Sequence, residues 1–528
     1  MFYFSSRRDS LIVNCQLLIV NYKHQFVNLL VNAGSLSIPL LSVRACPTIG
    51  TPRKLWFRKD NAGKEADSMN RKQIFGIAGA VAALVVGMLL PPMGGLTQLG
   101  IRTLGMLAAF LILLVTEALP VLLICLGSCA LMPVLGITPS FGKALTGFSQ
   151  PIVFFILASF GIAAALTSIP LSRRLLRLLL RCFGRNVGQV LLSLMACCAA
   201  LSSIVSNVPT CAIFMAIALD FVELYENEDD RRRTARAFLI AIPVASMIGG
   251  MMTPAGSSIN LLAMSQLELH TGLRISFVQW MAAGIPLTLV MIPLAWALMC
   301  RIYKPAPVTA HQVERFVAEM DIPEKMDGKE RKVCAVTVIM LVLWIASSWI
   351  RSINVMVVAM LGCCVMFLPG VEVLDVKTFV QRNSWDAFFL VGSVVSIAGA
   401  VIDNGVSDVI AGALPALNVS LPVLLAFAAG LLFITLLVIP NATSLIPIMA
   451  VPLITIAAGA GRNPALIMLC AGLCAANCYL LPLDTVPLIT YAKGYYSMTD
   501  MARSTVFLQL AMVILCPLWL TVLAPLFG

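Results

Sequence analysis

The sequence predicts an all-α polytopic membrane protein of about eleven transmembrane helices plus two re-entrant hairpins, arranged as an inverted repeat. Three observations carry that expectation. Of the 528 residues, 60% are hydrophobic and only 12% charged, where a soluble chain carries roughly 25% charged residues. Apolar runs recur from residue 74 to the end of the chain, and four of them are interrupted in matching places by Asn, Gly, Pro and Ser. A larger soluble core cannot explain the missing charge, because long soluble chains divide into domains with polar surfaces. A mean hydropathy of +0.95 therefore describes a chain whose solvent is mostly lipid.

Residues 1–68 stand apart from the rest of the chain. They hold a near-duplicated stretch at 11–15 and 18–22, then a polar, basic stretch at 52–67. Asn14, Asn21, Lys23, His24 and Asn28 interrupt the apolar part, so it makes a poor spanning helix, and it lacks the order of a signal peptide. Met69-Asn-Arg-Lys before the apolar run at Ile74 looks like a natural beginning. The expectation is a non-homologous leader, disordered or mis-assigned. N-terminal sequencing of the native protein that found residue 2 would overturn it.

Runs long enough for ~30 Å of hydrocarbon lie at 74–90, 101–118, 120–136, 152–169, 237–265, 277–300, 333–350, 353–369, 385–402, 465–491 and 504–526. Two more, 187–219 and 419–457, are broken in the middle by a polar Asn motif and fit re-entrant hairpins, whose irregular tips must line a protein cavity. The chain then divides into a first helix and first repeat (69–302), a cytoplasmic linker (303–332) and a second repeat (333–528). With this count, Arg102, Lys143, Arg274, Arg351 and Arg462 face one side and the remaining basic residues after Ser68 face the other. The positive-inside rule then puts the N-terminus in the cytoplasm and Gly528 outside. A plasma (inner) membrane is the expected location for a bacterial chain. At 171–185, Arg173, Arg174, Arg177 and Arg181 lie opposite leucines, which suits either a helix in the interface plane or a solvated helix end.

The repeat is read from two pairs of stretches. Residues 206–219 align without a gap on 440–453, matching Asn207 with Asn441, and 249–260 align on 477–488, matching Pro254 with Pro482, Gly256 with Asp484 and Ser257 with Thr485. The two halves enter the membrane from opposite sides, which points to a secondary transporter's central site. A helix broken at mid-membrane leaves free N–H groups at one half-helix start and free C=O groups at the other's end. The N–H ends receive an anion. The carbonyls, with Asn and Ser oxygens beside them, make a hard-oxygen cage for a small alkali cation.

At these residues the sequence resembles the divalent anion:sodium symporter family. The motifs are Thr116-Glu117-Ala-Leu-Pro, Ser202-x3-Ser206-Asn207, Gly249-Gly250-x2-Thr253-Pro254-x-Gly256, Ser276-Phe-Val-Gln-Trp280 and Leu481-Pro482-x2-Thr485-x-Pro487, in family order over about 73–527. The resemblance implies a homodimer, an elevator mechanism and sodium-driven uptake of dicarboxylates, citrate or sulfate, with Na+ as coupling ion and no other cofactor. Carried over by position, a first sodium site would use Ser202, Ser206, Asn207 and carbonyls around Gly249 and Gly250. A second would use Asn441 and carbonyls near Asn477 and Cys478. The anion would lie between the tips, beside Thr253, Pro254, Leu481, Pro482 and Thr485.

Two departures stand out. Family tips carry Ser-Asn-Thr, whereas these read Ser206-Asn207-Val208 and Pro440-Asn441-Ala442. Each lost hydroxyl bond to a charged ligand removes about 1.5–3 kcal/mol, although Thr210, Thr443 and Ser444 lie close enough to substitute. Asp484 occupies a mid-membrane break where the aligned repeat has glycine. An intramembrane carboxylate signals function by default. It can join the metal ligands, carry a proton, pair with a cationic substrate group, or be held by Asn477. Glu117 reads as structural.

Other classes fit less well. Three dispersed histidines and the lack of any CxxC pair leave no sequence sign of a histidine or ribbon metal site. Cys470, Cys474 and Cys478 share one helical face and read as small apolar packing residues. The +11 net charge lies between apolar runs and is not a nucleic-acid footprint. A membrane-embedded enzyme lacks HExxH, GxSxG or a His–Asp constellation, and an ATP-driven pump lacks a P-loop. An exchanger or proton-coupled relative using Asp484 stays open beside the sodium symporter.

Overall fold

In a computed structural model the described residues are 71–527, apart from 117, 321, 324, 351, 407–408, 410–418 and 439–441. The chain divides into two units between Ser68 and Met69, and the described residues all belong to the second. The expectations for the leader, Glu117, Pro440 and Asn441 lie outside the described residues. Among those described there are helices and no strands.

In chain order the helices are α1 (Arg71–Leu89), α2 (Gln98–Thr116), α3 (Val121–Val134), α4 (Pro151–Thr167) and α5 (Leu171–Phe183). They continue through α6 (Val187–Val205), α7 (Asn207–Val222), α8 (Glu228–Gly250), α9 (Ser258–Thr271) and α10 (Phe277–Tyr303). Then come α11 (Ala310–Glu319) and α12 (Gly328–Ala346). Next come α13 (Val355–Val365), α14 (Val376–Arg382), α15 (Trp385–Asp403), α16 (Leu421–Val438), α17 (Ala442–Gly459), α18 (Pro464–Ala475), α19 (Thr485–Tyr491) and α20 (Met498–Leu523).

Helix breaks fall where the sequence places its polar interruptions. The 187–219 run splits into α6 and α7 at Ser206, the 237–265 run into α8 and α9, and the 465–491 run into α18 and α19. Among the described residues, Gln98–Thr116, Val187–Val205, Phe277–Tyr303, Trp385–Asp403 and Met498–Leu526 are each long and apolar enough to cross a bilayer alone. Other apolar helices run 10–17 residues. The 353–369 run yields only α13, because Asn354 caps it, accepting from the N–H of Met356 and Val357, and the helix ends at Met366.

Two packed cores result. The smaller joins α2, α3 and α15 through Phe110, Ile124, Met132, Val394 and Ile397. The larger takes in most of the remaining helices, with Phe238, Leu262, Trp280, Leu469 and Leu508 at its centre. Between α2 and α15 on one side and α17 on the other lies an apolar cavity of about 230 Å3, lined by Leu104, Phe110, Val401, Pro447 and Val451 among others. The arginine-rich α5 turns 59° from α4, buries Leu176 and Leu180 in the larger core and leaves Arg173 and Arg181 exposed. Its Arg174 forms a two-pronged ion pair, Nε and Nη2 at 2.9 and 3.2 Å, to the buried Glu330 of α12.

Candidate functional site

The first tip is held open by its own backbone. Ser206, the one residue between α6 and α7, has φ 94° and ψ 154°, a conformation that costs a non-glycine residue about 1–3 kcal/mol. The strain turns the chain so that Asn207 starts α7 with its side chain buried against α8. Ser202 Oγ, one turn earlier, lies 2.8 Å from the Asn207 amide oxygen and 3.2 Å from Ser246 Oγ. Ser246 donates to the Asn207 carbonyl at 2.8 Å. With its oxygen toward Ser202, the amide also faces the carbonyls of Ser246 and Gly256; rotated, its nitrogen donates to Ser202 Oγ, Ser246 O and Gly256 O at 2.8, 3.1 and 3.3 Å. One end of this amide thus faces a hydroxyl and two carbonyls and the other faces donors, and the rotated orientation satisfies both ends.

Only glycine permits that approach. A Cβ on Gly250 would overlap Asn207 Oδ1, and one on Gly249 would overlap the Ala199 backbone. One on Gly256 would lie 2.5 Å from the Gly250 carbonyl oxygen.

The carbonyls freed by the first break are assigned one by one, as buried backbone requires. Thr288 donates to Ile248 O at 3.0 Å, Trp280 Nε1 to Met251 O at 3.0 Å, and Asn260 Nδ2 to Gly250 O and Thr253 O at 2.8 and 2.9 Å. The Ser276-x2-Gln279 motif is a capping box that starts α10 and so aims Trp280 at the break. Thr253 spends its hydroxyl on backbone, donating to Ser203 O at 2.6 Å and accepting from Gly256 N at 3.0 Å. It therefore ties the tip to the break.

The second break is built differently. Gln509 of α20 spans it, donating to Asn477 O at 3.2 Å and accepting from Tyr479 N at 3.4 Å. Thr505 donates to Leu480 O at 3.3 Å. Asp484 caps α19, accepting from Thr485 N at 2.8 Å. It lines a small pocket with Leu436, Ala442, Ala475, Cys478 and Leu483, where the ends of α16 and α17 meet the break. Among the described residues no basic side chain is paired with it. The two breaks adjoin: Asn477 Nδ2 lies 3.3 Å from Met251 Sδ, and Cys211 of α7 reaches Val486 O of α19 at 3.6 Å.

Of the residues expected at the first site, Ser202, Ser206, Asn207, Gly249, Gly250, Thr253 and Pro254 come together as described. Thr210 is fully buried and its hydroxyl has no partner among the described residues, while Val208 is half-buried. At the second, Ala442 and Pro482 are buried, Thr443 and Cys478 half-buried and Thr485 exposed. The Asn477 carbonyl is already taken by Gln509, and its Oδ1 has no partner among the described residues. Sequence reasoning missed Ser246, Asn260, Thr288 and Gln509 as parts of these sites. For Ser246 the signal was available, since it lies one helical turn before Gly250.

Broken apolar helices meeting in a buried polar centre define a polytopic membrane transporter. A sequence model of the sodium:sulfate symporter transmembrane region matches residues 71–526. A membrane protein of Cupriavidus necator is 26% identical over 347 residues, covering 62% of this chain and 67% of that one. The sodium-dependent dicarboxylate transporter SdcS of Staphylococcus aureus is 25% identical over 424 residues, 74% of this chain and 79% of its own. The crystal structure of the Alcanivorax borkumensis YdaH transporter shares the fold, with a TM-score of 0.54 at 13% identity over 87% of this chain and 99% of that one. The chain belongs to the sodium:sulfate symporter family, and is a secondary transporter rather than an enzyme.

Proposed function

We propose that the protein takes up a small di- or tricarboxylate or a sulfate-like anion, driven by sodium, through an elevator motion of a homodimer. Sodium coupling is supported by the sodium:sulfate symporter model over residues 71–526, and this reading places the cation at the first tip, where Ser202 Oγ and the carbonyls of Ser246 and Gly256 surround the Asn207 amide. An alkali cation there is the ligand these donors suit, and the name of the similar SdcS supports sodium and a dicarboxylate. The anion would sit between the tips, at Asn207, Val208, Thr210, Asn441, Ala442 and Thr443, beside Thr253, Pro254, Pro482 and Thr485. The start of α7, where no side chain caps the helix, offers it free N–H groups. The apolar lining of the cavity between α2, α15 and α17 supports a sliding motion. The protein on this reading keeps eleven spans and two hairpins, a cytoplasmic N-terminus and a plasma (inner) membrane location.

A second reading is favoured by one observation, the unpaired carboxylate of Asp484. It makes the protein an exchanger or a proton-coupled relative, with the carboxylate neutralised by a proton or cation at each turnover. Both readings are tested by uptake of labelled succinate, citrate and sulfate into proteoliposomes under an inward sodium gradient, a proton gradient, or internal counter-anion. Sodium-driven flux supports the first. Flux that ignores sodium, follows the proton gradient and disappears in Asp484→Asn supports the second. Silence toward all three anions rejects the proposed substrate class.

A further inference from the structure

Cysteine placement in the second repeat differs from the face read in the sequence. Cys470 and Cys474 of α18 are joined not by Cys478 but by Cys516 of α20, and all three are fully buried. Their sulfurs stand 4.0 Å (Cys470 to Cys474) and 3.9 Å (Cys470 to Cys516) apart, all within 4.8 Å of one another. Cys470 also donates to the Leu425 carbonyl of α16 at 3.6 Å, so three helices meet at this point. Cys478 instead lines the Asp484 pocket.

A metal at the centre of three sulfurs, each about 2.3 Å away, spaces them about 4.0 Å apart, which two of the three pairs show, the third lying within 4.8 Å. Three thiols with no oxygen or imidazole ligand in the group select a soft ion, and three-coordination suits a monovalent copper better than tetrahedral zinc. Each cysteine that binds does so as its thiolate and gives its proton to solvent, so loading is favoured by raised pH.

We infer that Cys470, Cys474 and Cys516 form a trigonal soft-metal site for monovalent copper. A bound ion braces α18, which ends at the second break, against α20. The full chain, purified anaerobically, is loaded with monovalent copper and challenged with a bidentate chelator that strips isolated thiols. Retention of one ion per chain, with X-ray absorption showing three sulfurs near 2.3 Å, is the expected result. Cys516→Ser and Cys474→Ser should each lose that ion, whereas Cys478→Ser keeps it. Copper should also raise the melting temperature of the unaltered protein and not of Cys516→Ser, a comparison that reads only folded material. The site is rejected if the unaltered protein retains no copper, if the ion has two sulfur neighbours, or if Cys516→Ser retains it unchanged.

Discussion

The two repeats place the same kind of break in the same place and furnish it with opposite chemistry. Aligned on their tip asparagines, Ser202 stands opposite Leu436 and Ser206 opposite Pro440. Aligned on their break prolines, Ser246 stands opposite Cys474, Gly250 opposite Cys478 and Gly256 opposite Asp484. The first repeat thus gathers neutral oxygens around Asn207 and keeps glycines where the backbone must approach. In the second, hydroxyls give way to apolar and sulfur side chains, glycine gives way to a carboxylate, and Gln509 from α20 holds the break together. Repeat symmetry fixes where a transporter's backbone opens; it does not fix which ion each opening receives. On the proposed reading, the first half holds a cation by dipoles and the second a cation or proton by charge.

Substitutions at paired positions break or sharpen this contrast. The largest expected effect is Gly250→Ala, whose Cβ overlaps the Asn207 amide. It should abolish sodium-driven uptake and cost about 1–3 kcal/mol in stability, whereas Cys478→Ala, its counterpart, should keep uptake and cost less than about 1.5 kcal/mol. Uptake and thermal melting of both variants check this. Next, Asn207→Ala removes the polar centre of the first tip. Losing a bond to a charged ligand at about 1.5–3 kcal/mol predicts sodium activation weakened about 10- to 150-fold, read as the sodium concentration for half-maximal uptake. Asp484→Asn keeps the helix cap and removes the charge, so folding should hold while coupling changes. Any dependence of uptake on external pH should flatten, and sodium activation at the first site should move less than in Asn207→Ala. The smallest effect is expected for Cys474→Ser, which restores the residue type of Ser246. Without the other hydroxyls the second site gains no cage, and copper-free uptake should stay within about twofold, a difference of about 0.4 kcal/mol.

Much of this contrast was legible in the sequence because it is written in residue types with strong backbone consequences. The Gly249-Gly250 pair, Pro254 and Pro482 mark the breaks, and the helices stop there. The polar interruption at Asn207 announced the first tip, and α7 starts there, whereas the Ser276–Trp280 motif was read only as a family resemblance and the structure shows it to be the capping box of α10. What was not legible came from other helices. Thr288 and Gln509 lie far along the chain from the carbonyls they satisfy, and nothing local distinguishes them from packing residues. Cys516 joins Cys470 and Cys474 only because α20 packs on α18, while the helical face alone suggested Cys478. The commitment of the Thr253 hydroxyl to backbone, rather than to a ligand, is likewise a matter of which atoms the fold brings to within hydrogen-bonding distance.

The central claim, that sodium is held at the first tip by neutral oxygens, is tested most directly by titrating sodium into the purified protein against a potassium background and measuring the heat of binding. The unaltered protein should bind sodium saturably, Cys478→Ala should match it, and Asn207→Ala should lose the tighter event. Equal sodium binding in the unaltered protein and in Asn207→Ala, with loss only in Asp484→Asn, would contradict that claim and move the cation site to the second break.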